Sequence, residues 1–348
     1  MYLHCCFGFL LILSGCLPEA ALAAPPENQV GFVKGFSWGW LGHRGEYRGS
    51  APEQSMEQLA ATGTQWIALA FAAHVETSAS TEILYGEENR SMVSDEEVRR
   101  AVSLARRHSM KIMMKPTINS RDGQWRALID FESEDDWRTW WDNYEAFLLH
   151  YAKMAAQTKC ELFCVGCEMR SMERFSDRWR RLIARVREVY PGTVVYNVNH
   201  DDIHDIEWFD AVDMIGVSAY YPVATEHDTS LERMMEEWKP VRKELEEISQ
   251  RWNRPILFAE IGVCSAKACS VTPWASARAA APYDGEEQAR FYEAAFRSFF
   301  EEPWFAGFFW WDWKARLYDR EKAAGRSDFS IYGKPAEQVV RRWYAKDR

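Results

Sequence analysis

The chain has 348 residues, of which 47% are hydrophobic and 27% charged, a composition that can bury one large core. Its formal net charge of −10 argues against nucleic acid and anionic membranes as partners, because phosphate contacts require a basic face. We therefore expect a neutral ligand. The chain has 17 tryptophans, whose flat side chains can stack on sugar rings. Most tryptophans in proteins, however, are buried in the core.

The N-terminal segment is typical of an export signal. Residues 7–17 are almost wholly apolar but too few to span a bilayer, and Ala21-Leu-Ala23 resembles a small-residue cleavage site. Leu13-Ser-Gly-Cys16 also resembles a bacterial lipobox, which would instead make Cys16 a lipidated N-terminus. We expect residues 1–29 to be a signal peptide or lipoprotein signal with a short linker. The protein is then secreted or held at the cell envelope, with lipid at Cys16 as its only membrane attachment.

From residue 30 to residue 348 the pattern predicts one domain of eight β/α units. Strands are predicted at 31–37, 65–72, 111–116, 161–169, 193–198, 214–219, 255–262 and 306–311. Helices are predicted at 52–62, 95–108, 135–157, 174–189, 231–251, 286–300 and 335–344, with a short helical piece at 204–209. Eight such units specify a (β/α)8 TIM barrel of the α/β class. The links from strand to helix are long, and in a barrel they all lie at the end where active sites are built.

Two of the apolar strands end on a glutamate. The fourth predicted strand ends on Glu168 and the seventh presents Glu260 after four apolar residues. Burying an unpaired carboxylate is costly, so a glutamate at such a strand end indicates a chemical role. Paired carboxylates facing one cleft suit glycoside hydrolysis. One protonates the leaving oxygen, while the other attacks the anomeric carbon or activates water. This chemistry requires neither a cofactor nor a metal, and we predict neither.

Several motifs resemble glycoside hydrolase family 113, whose characterised members are β-1,4-mannanases. They are Lys34-Gly-Phe-Ser-Trp38, Gly45-Glu-Tyr-Arg48, Cys164-Val-Gly-Cys-Glu168, Phe258-Ala-Glu-Ile-Gly262 and Tyr332-Gly-Lys-Pro-Ala336. The resemblance implies that Glu168 is the general acid/base, that Glu260 is the nucleophile, and that β-1,4-mannan or manno-oligosaccharides are cleaved with retention. A β-glycosidase acting on xylan, glucan or galactan, or an inactive carbohydrate-binding barrel, remains as an alternative. We expect a monomer.

Candidate substrate contacts follow from strand ends. The family resembles a wider clan of barrel glycosidases that have catalytic glutamates on strands four and seven. Much of this clan carries asparagine before the acid/base and uses it to hold the sugar 2-hydroxyl, whereas this chain has Cys167. Asn199, at the end of the fifth strand, could replace that contact or merely cap a turn. The clan often places a tyrosine beside the nucleophile at the end of the sixth strand. Tyr220 or Tyr221 fills that role, because alternation prevents both from pointing inward.

Tryptophans and one lysine complete the predicted site. Trp311 and Trp313 share a face of the eighth strand by alternation, and we favour that face as the sugar platform over packing under the loop. Trp38 and Lys115 occupy mouth positions on the first and third strands. Loop packing for Trp38 and a surface charge for Lys115 are the competing explanations.

Cysteine and histidine spacings suggest other chemistries. Cys160, Cys164 and Cys167 have the spacing of a radical S-adenosylmethionine iron–sulfur motif, but two of them point to opposite faces of one strand, whereas cluster ligands must converge. His200 and His204 have the spacing of a zinc pair on a helix, yet the stretch begins in a turn, and a polar rim or sugar contact is the better explanation. Whether Cys264 and Cys269 form a disulfide is left open.

Overall fold

The computed structural model describes residues 30–276 and 281–348, so the predicted signal, including Ala23 and Cys16, lies outside the described residues. Eight parallel strands pair in sequence order and close a barrel. They are β1 (Val33–Trp38), β2 (Trp66–Val75), β3 (Lys111–Ser120), β4 (Leu162–Cys167), β5 (Thr193–Asn199), β6 (Met214–Ser218), β7 (Ile256–Ile261) and β8 (Phe305–Trp313). The predicted (β/α)8 fold is confirmed.

The helices surround the barrel, and several of them begin at a side-chain cap. They are α1 (Ala51–Ala60), α2 (Asp95–Arg107), α3 (Glu134–Gln157), α4 (Arg170–Glu173), α5 (Ser176–Val189), α6 (Leu231–Trp252), α7 (Gly285–Phe299) and α8 (Pro335–Tyr344). Ser94 and Glu97 form a reciprocal capping box at the start of α2. The predicted helix at 174–189 is preceded by α4, which places one short turn directly after Glu168. Two 3-10 segments, His200–Asp205 and Phe209–Ala211, follow β5 in place of a long helix.

The interior of the barrel changes from apolar to polar along the strands. Met113 on β3 and Val195 on β5 belong to the apolar layer inside the barrel. Two residues further on, on the same face of each strand, stand the buried polar residues Lys115 and Asn197. Apolar packing therefore closes the amino-terminal end of the barrel, whereas polar side chains collect at the carboxyl end, where the long loops begin.

Two further features of the fold concern cysteines and membranes. Cys264 and Cys269 are both buried thiols in the structure, and Cys264 Sγ donates to the carbonyl oxygen of Ala275 at 3.4 Å. Among the described residues, no helix combines the length and the apolarity that a membrane span requires.

Candidate active site

A cavity of about 560 Å³ opens at the carboxyl ends of the strands. Glu168 and Glu260 both line it, with only 9% and 7% of their surfaces exposed. The structure therefore brings the two predicted glutamates to one cavity. The other lining residues come from strand ends and loops around the barrel: Trp40, Trp125, Arg126, Arg170, Asn199, His200, Asp201, Tyr220, Trp274, Ser276, Trp311 and Phe329.

Glu260 lies near the end of β7 and accepts hydrogen bonds on both carboxylate oxygens. Lys115 Nζ lies 2.5 Å from Oε1, and Cys167 Sγ lies 3.5 Å from the same oxygen. The Tyr220 hydroxyl donates to Oε2 at 3.0 Å. Because the three donors come from β3, β4 and the segment after β6, the barrel wall fixes the carboxylate on three sides.

The donors around Glu260 keep their protons. Burial raises the pKa of the Cys167 thiol well above its usual value, and the Glu260 and Glu168 carboxylates add to the effect. Burial likewise raises the pKa of the Tyr220 hydroxyl. For Lys115, burial alone would lower the pKa, but the neighbouring Glu260 carboxylate opposes burial, and the pKa is raised above its usual range. One ammonium, one neutral thiol and one neutral hydroxyl therefore face a single carboxylate.

Glu168 follows β4 with an unusual backbone conformation. Its φ angle is 55°, in the left-handed region that residues other than glycine rarely adopt. Its amide donates to the carbonyl oxygen of Asn197 at 2.8 Å. Its Oε2 accepts from Arg126 Nη1 at 2.9 Å and from Trp125 Nε1 at 3.0 Å. The loop after β3 thus fixes one oxygen of the carboxyl group, at the strand end where the backbone turns out of the barrel.

Trp125 and Arg126 were not predicted from the sequence. They belong to the long loop after β3, where Arg126 Nε also donates to the carbonyl oxygen of Ile118 at 2.8 Å and Nη2 to Asn119 Oδ1 at 2.9 Å. The length of this loop was the available signal, but it does not indicate which residues turn inward. Trp40 and Trp274 were missed for the same reason, because each stands in a loop without strand alternation.

Of the predicted contacts, Asn199, Tyr220 and Trp311 line the cavity. Asn199 Oδ1 also accepts from the amide of Asp201 at 3.2 Å, so the residue caps the following 3-10 segment as well. Tyr221 points away, as alternation predicts for one of the pair, and its ring packs 5.9 Å from the ring of Trp238. Tyr220 therefore occupies the predicted place beside Glu260, and Tyr221 is corrected as a site residue.

The predictions that Lys115 and Trp38 contact the substrate directly are also corrected. The Lys115 side chain is fully buried beneath the cavity, where Glu260 and Asn197 Oδ1 bind its ammonium, so it is neither a surface charge nor a rim residue. Trp38 is fully buried, and its Nε1 donates to Ser55 Oγ at 3.1 Å. Its ring packs against Tyr47 at 4.9 Å, between the barrel and the outer layer.

The prediction for Trp313 is also corrected, because alternation wrongly placed its side chain on the same face of β8 as Trp311. Its side chain is fully buried and donates to Ser55 Oγ at 3.2 Å. The pairing of β1 with β8 explains the error, because Phe36 is opposite Trp310 and Trp38 is opposite Trp313. β8 has one extra residue in this interval, and such a bulge interrupts alternation. Trp311 itself packs at 5.1 Å from Trp40 on the cavity wall.

The two histidines of the predicted rim have separate surroundings. His200 lines the cavity, and burial lowers its pKa, whereas His204 Nε2 lies 2.6 Å from Glu244 Oε1.

Elsewhere in the described residues, His227, Asp284 and Glu287 are close enough together to share a cation. Their hydrogen bonds already explain the arrangement. Asp284 caps α7, and Glu287 accepts from the amides of Ala268 and Ser270.

Comparisons with known proteins agree with this geometry. The β-mannanase of Alicyclobacillus acidocaldarius, solved in complex with ManMIm, is 38% identical, with a TM-score of 0.84 over 91% of this chain and 98% of that one. A further GH113 β-1,4-mannanase is 32% identical, with a TM-score of 0.82 over 91% of this chain and 100% of the other. A β-glucuronidase of Faecalibacterium prausnitzii has 14% identity, a TM-score of 0.61 and coverage of 90% and 49%, a likeness of fold alone.

A search among curated protein sequences gave no significant match. The sequence profile of Glycoside Hydrolase Family 113, in contrast, matches residues 36–334, which include the whole barrel from β1 to β8 except its first residues. With two solved members above 30% identity over nearly their full length, the chain belongs to glycoside hydrolase family 113.

Proposed function

We propose that this glycosidase cleaves β-1,4-linked mannan or manno-oligosaccharides with retention of configuration. The observation that carries the proposal is that Glu168 and Glu260 face one cavity from two sides of the barrel, each with its own set of donors. The substrate class is supported by two solved relatives that are described as β-mannanases.

Glu260 is proposed as the nucleophile. A nucleophilic carboxylate must be ionised and must point at the anomeric carbon before the bond breaks. The Lys115 ammonium supplies the balancing charge, and the Tyr220 hydroxyl holds the second oxygen. When one oxygen of Glu260 bonds to the sugar, its negative charge is lost, and these donors hold the ester in place until water releases it.

Glu168 is proposed as the general acid/base. In the first step its proton passes to the glycosidic oxygen, and in the second step its carboxylate takes a proton from the attacking water. Arg126 and Trp125 hold Oε2. The carboxyl group therefore has a fixed orientation in which its other oxygen can exchange the proton.

Aromatic residues make the cavity suitable for sugar. Trp40, Trp125, Trp274 and Trp311 all contribute to its lining, and indole faces stack on the apolar faces of sugar rings. Asn199 and His200 also line the cavity and add polar groups to it. We propose that Trp311 and Asn199 contact the substrate directly, whereas Lys115 acts through Glu260.

The test is reducing-sugar release from mannan, glucomannan, xylan, β-glucan and galactan by the protein starting at Ala24, with Glu260→Gln as the control. We expect release from mannan and glucomannan that the control abolishes. Release from another polymer would keep the mechanism and change the substrate. Binding without release from any polymer would contradict hydrolysis and favour a carbohydrate-binding barrel.

We also propose that the protein is exported and monomeric. Export is supported by the apolar segment at 7–17, which is followed by the small residues at 21–23. Mass spectrometry of the protein from a bacterial host distinguishes cleavage after Ala23 from a lipid on Cys16, and an unprocessed N-terminus would contradict export. Light scattering measures the oligomeric state.

A further inference from the structure

Glu173, the last residue of α4, is a buried carboxyl group behind the cavity that the chemistry above does not use. Only 2% of its surface is exposed. Its Oε1 accepts from the Tyr196 hydroxyl at 2.5 Å, whereas Oε2 is buried without a hydrogen-bond partner among the described residues. A buried carboxyl with one unsatisfied oxygen costs stability. Its placement therefore indicates a role other than stabilising the fold.

The Tyr196 hydroxyl connects Glu173 to the backbone beside Glu168. It accepts a hydrogen bond from the amide of Met169 at 3.2 Å. The ring is fixed between Trp179, at 5.0 Å, and Trp208, at 4.7 Å. A hydroxyl has a single proton, and this one goes to Glu173, so its lone pairs face the Met169 amide. Glu173 thus determines how the hydroxyl is oriented.

The bonded amides lie on both sides of the Glu168 α-carbon. The amide of Glu168 donates to the carbonyl oxygen of Asn197, and the next amide, that of Met169, donates to the side chain of Tyr196. Two consecutive residues of β5 thereby restrain both backbone dihedrals of Glu168. A residue with a φ of 55° keeps this conformation only when its surroundings enforce it.

We propose that Glu173 is a positioning residue for Glu168, acting through the Tyr196 hydroxyl and the Met169 amide. The proposal rests on the acid/base role of Glu168 proposed above. Glu173 itself does not line the cavity, so its effect on the position of Glu168 does not involve contact with the substrate. What it supplies is an acceptor oxygen at a fixed place, and loss of that oxygen releases the hydroxyl that anchors the turn after β4.

The charges around Glu173 allow the carboxyl to be neutral. Arg170 on the same helix is paired with Asp202 at 2.8 Å, and Asp205 belongs to the same 3-10 segment. Burial raises the pKa of Glu173 to about 8, with Asp202 adding to burial, while the Tyr196 hydrogen bond and Arg170 oppose the shift. A neutral carboxyl still offers its carbonyl oxygen to Tyr196, so the positioning bond does not require a buried negative charge.

The experiment compares kcat/KM on two substrates, an unactivated manno-oligosaccharide and a dinitrophenyl β-manno-oligosaccharide. Only the first needs a proton from the acid, because the second has a good leaving group. For Tyr196→Phe and Glu173→Ala we expect at least roughly tenfold loss on the first and less than about threefold on the second, since small misplacements cost up to about a hundredfold. Glu173→Gln keeps the acceptor oxygen and should remain within about threefold of wild type on both.

The matched control is Tyr190→Phe. It removes another buried tyrosine hydroxyl, which donates to the carbonyl oxygen of Cys160 at 2.9 Å near the start of β5, and should leave the ratio of the two substrates unchanged. Equal losses of kcat/KM on both substrates in Tyr196→Phe would overturn the proposal. This variant keeps the aromatic ring, so it still provides the test if Glu173→Ala does not fold. If Glu168→Ala also loses equally on both, the proposed acid role of Glu168 fails instead.

Discussion

At the scale of single residues, the two glutamates differ in what holds them. Glu260 is surrounded by donors from the barrel wall, including the fully buried Lys115, whereas Glu168 is held by a loop. A nucleophile must stay in one place through two steps, while an acid/base must exchange protons with a leaving group and with water. The rigid wall therefore suits Glu260, and attachment to a loop through one carboxylate oxygen suits Glu168.

The proposed nucleophile gives the first prediction. In Glu260→Ala the attacking oxygen is missing, so turnover of a dinitrophenyl manno-oligosaccharide should fall by at least about four orders of magnitude. A small anion fits the space left by the carboxylate. Azide should restore part of the activity and yield a glycosyl azide of inverted configuration, which NMR of the product identifies. An azide product of retained configuration would assign the nucleophile elsewhere.

Lys115 gives the second prediction. Lys115→Met removes the ammonium that is bonded to Glu260 Oε1 and leaves a buried carboxylate without this ionic partner. Breaking a buried pair by removing one member typically lowers the free energy of unfolding by about 3–5 kcal/mol. Urea denaturation at neutral pH measures this loss.

The control for Lys115 lies on the same strand. Lys111→Met replaces an exposed lysine at the start of β3, and we expect a change below about 1 kcal/mol. If the free energy of unfolding falls by the same amount in both variants, the Lys115–Glu260 pair does not stabilise the fold as the geometry indicates.

At the scale of elements, strand ends were predictable and loops were not. Glu168 and Glu260 were found because an apolar run that stops on a carboxylate stands out in any sequence, and β4 and β7 end within two residues of the predicted strand ends. Trp313 was misplaced because the bulge in β8 shifts the alternation by one residue, and no local pattern marks that shift. Trp125 and Arg126 were missed because loop residues follow no period, so only the folded chain reveals which ones face inward.

The loop after β3 gives the third prediction. Three nitrogens of Arg126 bind three different acceptors, on Ile118, Asn119 and Glu168. Arg126→Lys keeps the charge but cannot span these acceptors, because an ammonium is compact and a guanidinium is a rigid fork. We expect kcat/KM on mannan to fall roughly tenfold or more.

The control for Arg126 comes from the same loop. Arg121 pairs with the exposed Glu76 at 3.1 Å, and Arg121→Lys should leave kcat/KM within about twofold of wild type, because surface ion pairs contribute little. A similar loss in both variants would mean that the loop as a whole, not the guanidinium fork, supports activity.

At the scale of the whole molecule, the burial of Glu173 behind the cavity makes stability depend on pH. Glu173 ionises near its ordinary pKa of about 4.3 in the unfolded chain, whereas burial raises its pKa to about 8 in the folded protein. The folded state therefore binds a proton more tightly. The contribution of Glu173 to stability is fully present below about pH 4.3 and is lost as the pH rises towards 8, by about 1.4 kcal/mol for each pH unit.

The fourth prediction isolates that dependence with Glu173→Gln, which has the same size and cannot ionise. The free energy of unfolding of the variant minus that of wild type should increase steadily between pH 5 and pH 8 and level off above, as measured by urea denaturation. Glu57→Gln, on an exposed position of α1, should give a difference that does not change with pH. A constant difference for Glu173→Gln as well would mean that Glu173 is already ionised at pH 5 in the folded protein. Its site would then have to supply a counter-charge, and Arg170 would have to leave Asp202 to provide one.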